Sequence, residues 1–286
     1  MTAPSPASIE CRAGALRLAL RPDLGGSIAG LWHDGEPVMR STEPAKLALP
    51  RASASYPLVP YSNRIGNRRF TWNGEAHTTA ANFGDYPHSV HGIAWLRPWD
   101  VLSATGTAAS IRYRHTPDAH WPFAFEVEQH HTLTPEGFTV RHRFTNLHDA
   151  AAPAGLGWHP YFPKRARSRL DIAVAGRWDS DATELPVARV PQAAIADAVA
   201  ALRYDNCFDG WTGPARIADE RFRIELSSDL ACLVVYTPVD KDYYCVEPVS
   251  HVSNAIQMDD PVARGLRSLA PGEVFEATMS LKVTPA

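Results

Sequence analysis

The chain has 286 residues, 45% of them hydrophobic and 21% charged, and its 28 Lys and Arg against 31 Asp and Glu give a formal net charge of −3. A chain of this length buries roughly 73% of its unfolded surface, and this composition excludes disorder as the main state along with collagen-like and coiled-coil classes. Near-neutrality disfavours nucleic acid and anionic membrane surfaces as partners.

The opening Met1-Thr2-Ala3-Pro4-Ser5-Pro6 has no basic start followed by an apolar run, so no cleaved leader is expected. No later stretch reaches the length of a transmembrane helix. Leu16, Leu18 and Leu20 alternate with Arg17 and Ala19, which predicts a half-buried strand. Further strands are expected at Ala109 to Arg114, Arg221 to Leu226, Cys232 to Tyr236 and Ala277 to Val283. Phe125 to Leu133 and Phe138 to Phe144 flank Thr134-Pro135-Glu136-Gly137, a turn of hairpin length. One helix is expected from Gln192 to Leu202, where Ile195, Val199 and Leu202 recur at helical spacing. Many short strands and a single helix predict an all-β antiparallel sandwich or barrel. With no repeat and prolines spread evenly, residues 1–286 read as a single domain. Cys11, Cys207, Cys232 and Cys245 form no C-x-x-C pair, so neither a disulfide framework nor a cysteine zinc site is expected, and a reducing cytoplasm is the expected location. The basic cluster Lys164, Arg165, Arg167 and Arg169 reads as a solvated strand edge, its arginines spaced to share one face.

Several segments carry groups suited to chemistry. Gly157-Trp158-His159-Pro160-Tyr161-Phe162 joins a histidine, able to exchange a proton near neutrality, to aromatic faces that suit the C–H surface of a sugar; a core histidine is the competing reading. Tyr243-Tyr244-Cys245-Val246-Glu247-Pro248 sets a carboxylate in an apolar run, where burial would raise its pKa and make it a better base, unless Glu247 faces outward on an alternating strand. Asn63 and Arg64 are suited to vicinal hydroxyls or to capping a loop. His88 and His91 have the spacing of half a zinc site but no partners to complete it, so no metal is expected. Asp205 and Asp209 flank Asn206-Cys207-Phe208 in an expected loop.

Taken in order, Pro60-Tyr61-Ser62-Asn63-Arg64-Ile65, His91-Gly92, Arg97-Pro98-Trp99, Gly157 to Phe162, Asp205-Asn206-Cys207-Phe208 and Cys245-Val246-Glu247-Pro248 resemble the aldose 1-epimerase (galactose mutarotase) family. The resemblance implies a β-sandwich of the galactose mutarotase type, a monosaccharide as partner and no cofactor. It implies His159 as general acid and Glu247 as general base, with Asn63, Arg64, His91 and Asp205 binding the sugar, Asp209 being the alternative to Asp205. The reaction needs a proton removed from the anomeric hydroxyl and one delivered to the ring oxygen, and acid and base are expected on opposite sides of the ring. The chemistry expected is interconversion of the α and β anomers of a free aldose. A hexose 6-phosphate epimerase, drawing on Arg165, Arg167 and Arg169, and a non-catalytic sugar-binding module are the alternatives.

Overall fold

A computed structural model describes residues 8–286; the opening Met1 to Pro6, read above for a leader, lies outside the described residues. Among those residues, two antiparallel sheets form the body of the protein. One has nine strands, in the order Ile195–Ala198, Arg169–Ile172, Ala215–Ala218, Phe222–Ser228, Val274–Pro285, Gly137–Asn146, Phe125–Thr134, Ala108–His115 and Asp100–Ala104. The other has six: Tyr161–Pro163, Tyr243–Val249, Cys232–Tyr236, Asp205–Asp209, Gly176–Ser180 and Pro186–Pro191. Val127, Phe144, Leu226 and Met279 from the first meet Phe208, Leu233, Val235 and Val246 from the second in one core, as the alternation of a sandwich requires. No described helix is long and apolar enough to cross a membrane.

The expected hairpin is present, Thr134 pairing with Gly137 across Pro135 and Glu136. The strand Leu16–Arg21 is also present, but it is covered on both faces, because Trp32 and Leu47 pack over Ala19.

Three expectations are corrected. Asp205–Asp209, expected as a loop, is a strand paired between Gly176–Ser180 and Cys232–Tyr236. Gln192 to Leu202 is not a helix; Ile195–Ala198 is a strand that runs into the 3₁₀ turn Val199–Ala201. A helix of that length is marginal alone, whereas the extended chain pairs with the edge of Arg169–Ile172 and still buries Ile195, Val199 and Leu202. Arg165, Arg167 and Arg169 do not share a strand face either, since the strand begins only at Arg169. Arg165 lies in the preceding turn, bonded to Asp219 at 2.7 Å, with its guanidinium 5.7 Å from the centre of the Phe222 ring.

Candidate active site

Alternation in the six-stranded sheet builds the floor of the site. Phe162, Phe208, Leu233, Val235, Tyr244 and Val246 point into the core, so their sequence neighbours point the other way. Residues paired across antiparallel strands share a face. The register therefore lays out one row of Asp205, Tyr236, Cys245 and Tyr161 and a second of Cys207, Val234 and Glu247. Over these rows lies a cavity of about 580 Å³.

Glu247 and His159 meet on that floor. His159 Nε2 stands 3.3 Å from Glu247 Oε1, and the residues are 7% and 2% exposed. The imidazole stacks against both Tyr56 and Tyr161, with centroids at 4.7 and 4.5 Å and the two tyrosine rings 6.2 Å from each other, and the His159 amide donates to the Tyr56 carbonyl. Glu247 Oε2 and His159 Nδ1 are buried without a hydrogen-bond partner among the described residues. Burial pushes the Glu247 carboxyl well above its ordinary range, Asp205 adding to the effect and Arg64 opposing it. Burial likewise drives His159 down to about 3, with the Arg40 cation adding to the effect. Both shifts favour neutral groups, so the pair holds its shared proton on Glu247. Acid and base are thus in contact rather than on opposite sides of a ring. A sugar presents O1 and O5 side by side on one carbon, and a pair in contact can serve both.

Asn63, Arg64, His91 and Asp205 all line the same cavity. Arg64 and His91 are brought together by the short ribbon of Arg64–Ile65 and Ser89–Val90. Asn63 and His91 both have positive φ, 56° and 64°, a rare conformation for such residues that is held by a reciprocal clasp. The His91 amide donates to the Asn63 carbonyl at 2.8 Å, and the Asn63 amide donates to His91 Nδ1 at 3.2 Å. Burial keeps His91 neutral, pushing its pKa well below the ordinary value. With Nδ1 accepting, its proton is on Nε2, as a hydrogen-bond donor. Gly92 follows with φ 71°, where a Cβ would fall 2.0 Å from the Val59 carbonyl oxygen.

Arg64 donates to the side chains of Asn63 at 3.0 Å, Tyr86 at 2.7 Å and Glu184 at 2.6 Å, and stands 3.4 Å from Asp205. Asp209 is placed elsewhere: Arg189 and the Trp178 indole hold it, which leaves Asp205 as the aspartate at the cavity. His88 is also absent from the cavity, because Asn67 N and the Thr183 carbonyl occupy its two ring nitrogens. The donor atoms that do converge are those of His159, Cys245 and Glu247, mutually within 4.8 Å.

Tyr56, Tyr86 and Glu184 line the cavity without having been singled out in the sequence. The positive φ of Glu184, 64°, belongs to the turn joining Gly176–Ser180 to Pro186–Pro191. That turn brings its carboxylate to Arg64 and the Tyr86 hydroxyl.

The family profile described as aldose 1-epimerase matches residues 8–282. The chain is 31% identical to the uncharacterized protein YphB of Escherichia coli K12 over 94% of this chain and 96% of that one. A solved Escherichia coli K12 structure superposes with a TM-score of 0.86 at 28% identity, covering 98% of this chain and 99% of that chain. A galactose mutarotase-like protein from Clostridium acetobutylicum shares the fold with a TM-score of 0.86 at 20% identity, covering 98% and 95%.

Proposed function

We propose, from the premise that this chain belongs to the aldose 1-epimerase family, that it interconverts the α and β anomers of a free aldose by proton transfer at His159 and Glu247. The observation that carries the reading is the buried contact of those two side chains, 3.3 Å apart, on the floor of a cavity walled by Asn63, Arg64, His91 and Asp205.

Ring opening starts from the tautomer in which the shared proton has crossed the 3.3 Å contact from Glu247 to His159 Nε2: Glu247, then ionised, takes the O1 hydroxyl proton while His159 gives its Nε2 proton to O5. The O1–H electron pair becomes the second bond of C1=O1, and the C1–O5 pair stays on O5. The step turns an ion pair into a neutral pair, the direction in which burial draws these groups. Rotation about C1–C2 followed by the reverse transfers closes the ring as the other anomer. His91 Nε2 and the Asn63–Arg64 group hold the sugar hydroxyls so that the open chain is retained.

A neutral substrate is supported by the charges around Arg64, which is already matched by Asp205 and Glu184. Arg165, Arg167 and Arg169 are not among the cavity residues. Arg51 lies at the cavity, stacked over Phe83, and is the cation a phosphorylated sugar would meet.

Proton NMR of freshly dissolved galactose, glucose, arabinose and their phosphates, with and without protein, is the test. Free aldoses should equilibrate faster, and His159→Ala and Glu247→Gln should each lose about 10²–10⁴-fold of that turnover. No acceleration of any sugar would leave a binding module, and preference for the phosphates would move the substrate to that class.

A further inference from the structure

Behind the catalytic histidine lies a cation without a carboxylate. Arg40 is half-buried and is not among the cavity residues. Its guanidinium sits 3.6 Å above the centre of the Tyr161 ring and 4.7 Å from that of Tyr243. It donates to the carbonyls of Ser53, at 2.7 Å, and Arg51, and its own amide donates to the Tyr161 carbonyl at 2.9 Å. Among the described residues no Asp or Glu lies within ion-pair distance of it. Tyr161 also stacks on the His159 imidazole, at 4.5 Å, and Tyr56 packs on the same imidazole at 4.7 Å. The Tyr161 ring thus has the full positive charge of Arg40 at 3.6 Å and the imidazole at 4.5 Å.

We propose that Arg40 is a positioning residue which, acting through Tyr161, biases the proton shared by His159 and Glu247 away from the imidazole and toward the carboxylate. The proposal rests on the acid–base reading of that pair. A cation held among rings and carbonyls, with no anion among the described residues at ion-pair distance, disfavours a second positive charge one ring away. The imidazolium thereby becomes a stronger acid but a rarer one, and the loss of population outweighs the gain in acidity because the proton has only partly left the ring in the transition state. The other groups facing the imidazole have different effects. Glu247 is the proton's other holder, His91 meets the ring edge-on at 5.1 Å and is neutral, and Cys245, whose thiol burial holds protonated, stands beside it. Arg64 acts on the Glu247 side of the pair, where it opposes protonation. Arg40 is the formal charge that lies over the Tyr161 ring.

The experiment follows the His159 ring nitrogens by ¹⁵N NMR at neutral pH, with the signals assigned through His159→Gln. The same samples are assayed for anomer interconversion. In Arg40→Gln the His159 signals should move toward imidazolium values and kcat should rise by up to about tenfold with KM within about threefold. Arg40→Lys, which keeps the charge but not the planar fork, should hold both near the unmodified protein. Unchanged ¹⁵N signals in a folded Arg40→Gln overturn the proposal, as does unchanged kcat. If Arg40→Gln does not fold, Arg40→Lys decides alone. Signals displaced toward imidazolium despite the retained charge would make Arg40 a carbonyl clamp. The ¹⁵N readout needs no turnover, so a protein inactive on every aldose would sink the acid–base reading while still reporting on Arg40.

Discussion

Glu247→Gln should stabilise the fold while abolishing turnover, and by an amount that grows with pH. The folded protein holds a proton on the buried Glu247 that the unfolded chain, with an ordinary value of 4.5, gives up. A group whose folded pKa is raised contributes its full stability below the unfolded value and loses it as pH rises toward the folded one. Each pH unit above 4.5 in which Glu247 stays protonated therefore costs the native state about 1.4 kcal/mol. The cost therefore grows with pH for as long as the buried carboxyl keeps its proton. Glutamine fills the same space, does not titrate and can donate its amide to His159 Nε2, so the cost disappears. Urea unfolding of both proteins at pH 5, 6, 7 and 8 measures the difference, which should widen as pH rises above 4.5. A difference that stays constant with pH would mean that Glu247 ionises in the folded state as it does in water, and the burial argument would fail.

Anomer interconversion should survive dialysis against EDTA, because the protons move between side chains; loss restored by zinc would instead make His159, Cys245 and Glu247 a ligand set. Changing Arg165, Arg167 and Arg169 together to Gln should leave free-aldose turnover within a few fold, since none is among the cavity residues, while lowering the melting temperature through the lost Arg165–Asp219 pair. Asp205→Asn should weaken KM or kcat by about tenfold and Asp209→Asn should not, as steady-state rates on the best aldose will show; the reverse ranking would move the sugar-facing aspartate. His131 and His142 are buried with no hydrogen-bond partner among the described residues, burial holds both below the ordinary histidine value, and His131 falls to about 3. Their stabilising effect is complete above pH 6.5 and lost as pH falls toward the folded values, so urea midpoints should drop on acidification, and less so in His131→Leu.

What the sequence conveyed depends on whether each signal was local. The hairpin at Pro135-Glu136 was legible because turn chemistry and period-two alternation lie in the same twenty residues. Each site residue was legible because its segment matched a family motif, yet no spacing could say that Asn63, His159 and Glu247 share one cavity. The alternation around Glu247 was real, and its reading as an outward face was reasonable. A loop layer carrying Tyr56, His91 and His159 covers that face, so an otherwise solvated row became a buried floor. Sequence alternation separates two faces without saying whether each is wet. The choice between Asp205 and Asp209 had the same limit. Both point to the same side of one strand, about 13 Å apart, and only the positions of Arg64 and Arg189 on other elements decide which one meets the cavity. Glu184 and Arg40 were invisible for a further reason. An exposed turn glutamate and an arginine near the start of the chain carry no pattern of their own. Each acquires its role from a partner far away in sequence, Glu184 from Arg64 and Arg40 from the ring of Tyr161. The groups that adjust the acid–base pair are thus supplied by tertiary contacts, and substitutions there should change rate and pH dependence while leaving every family motif intact.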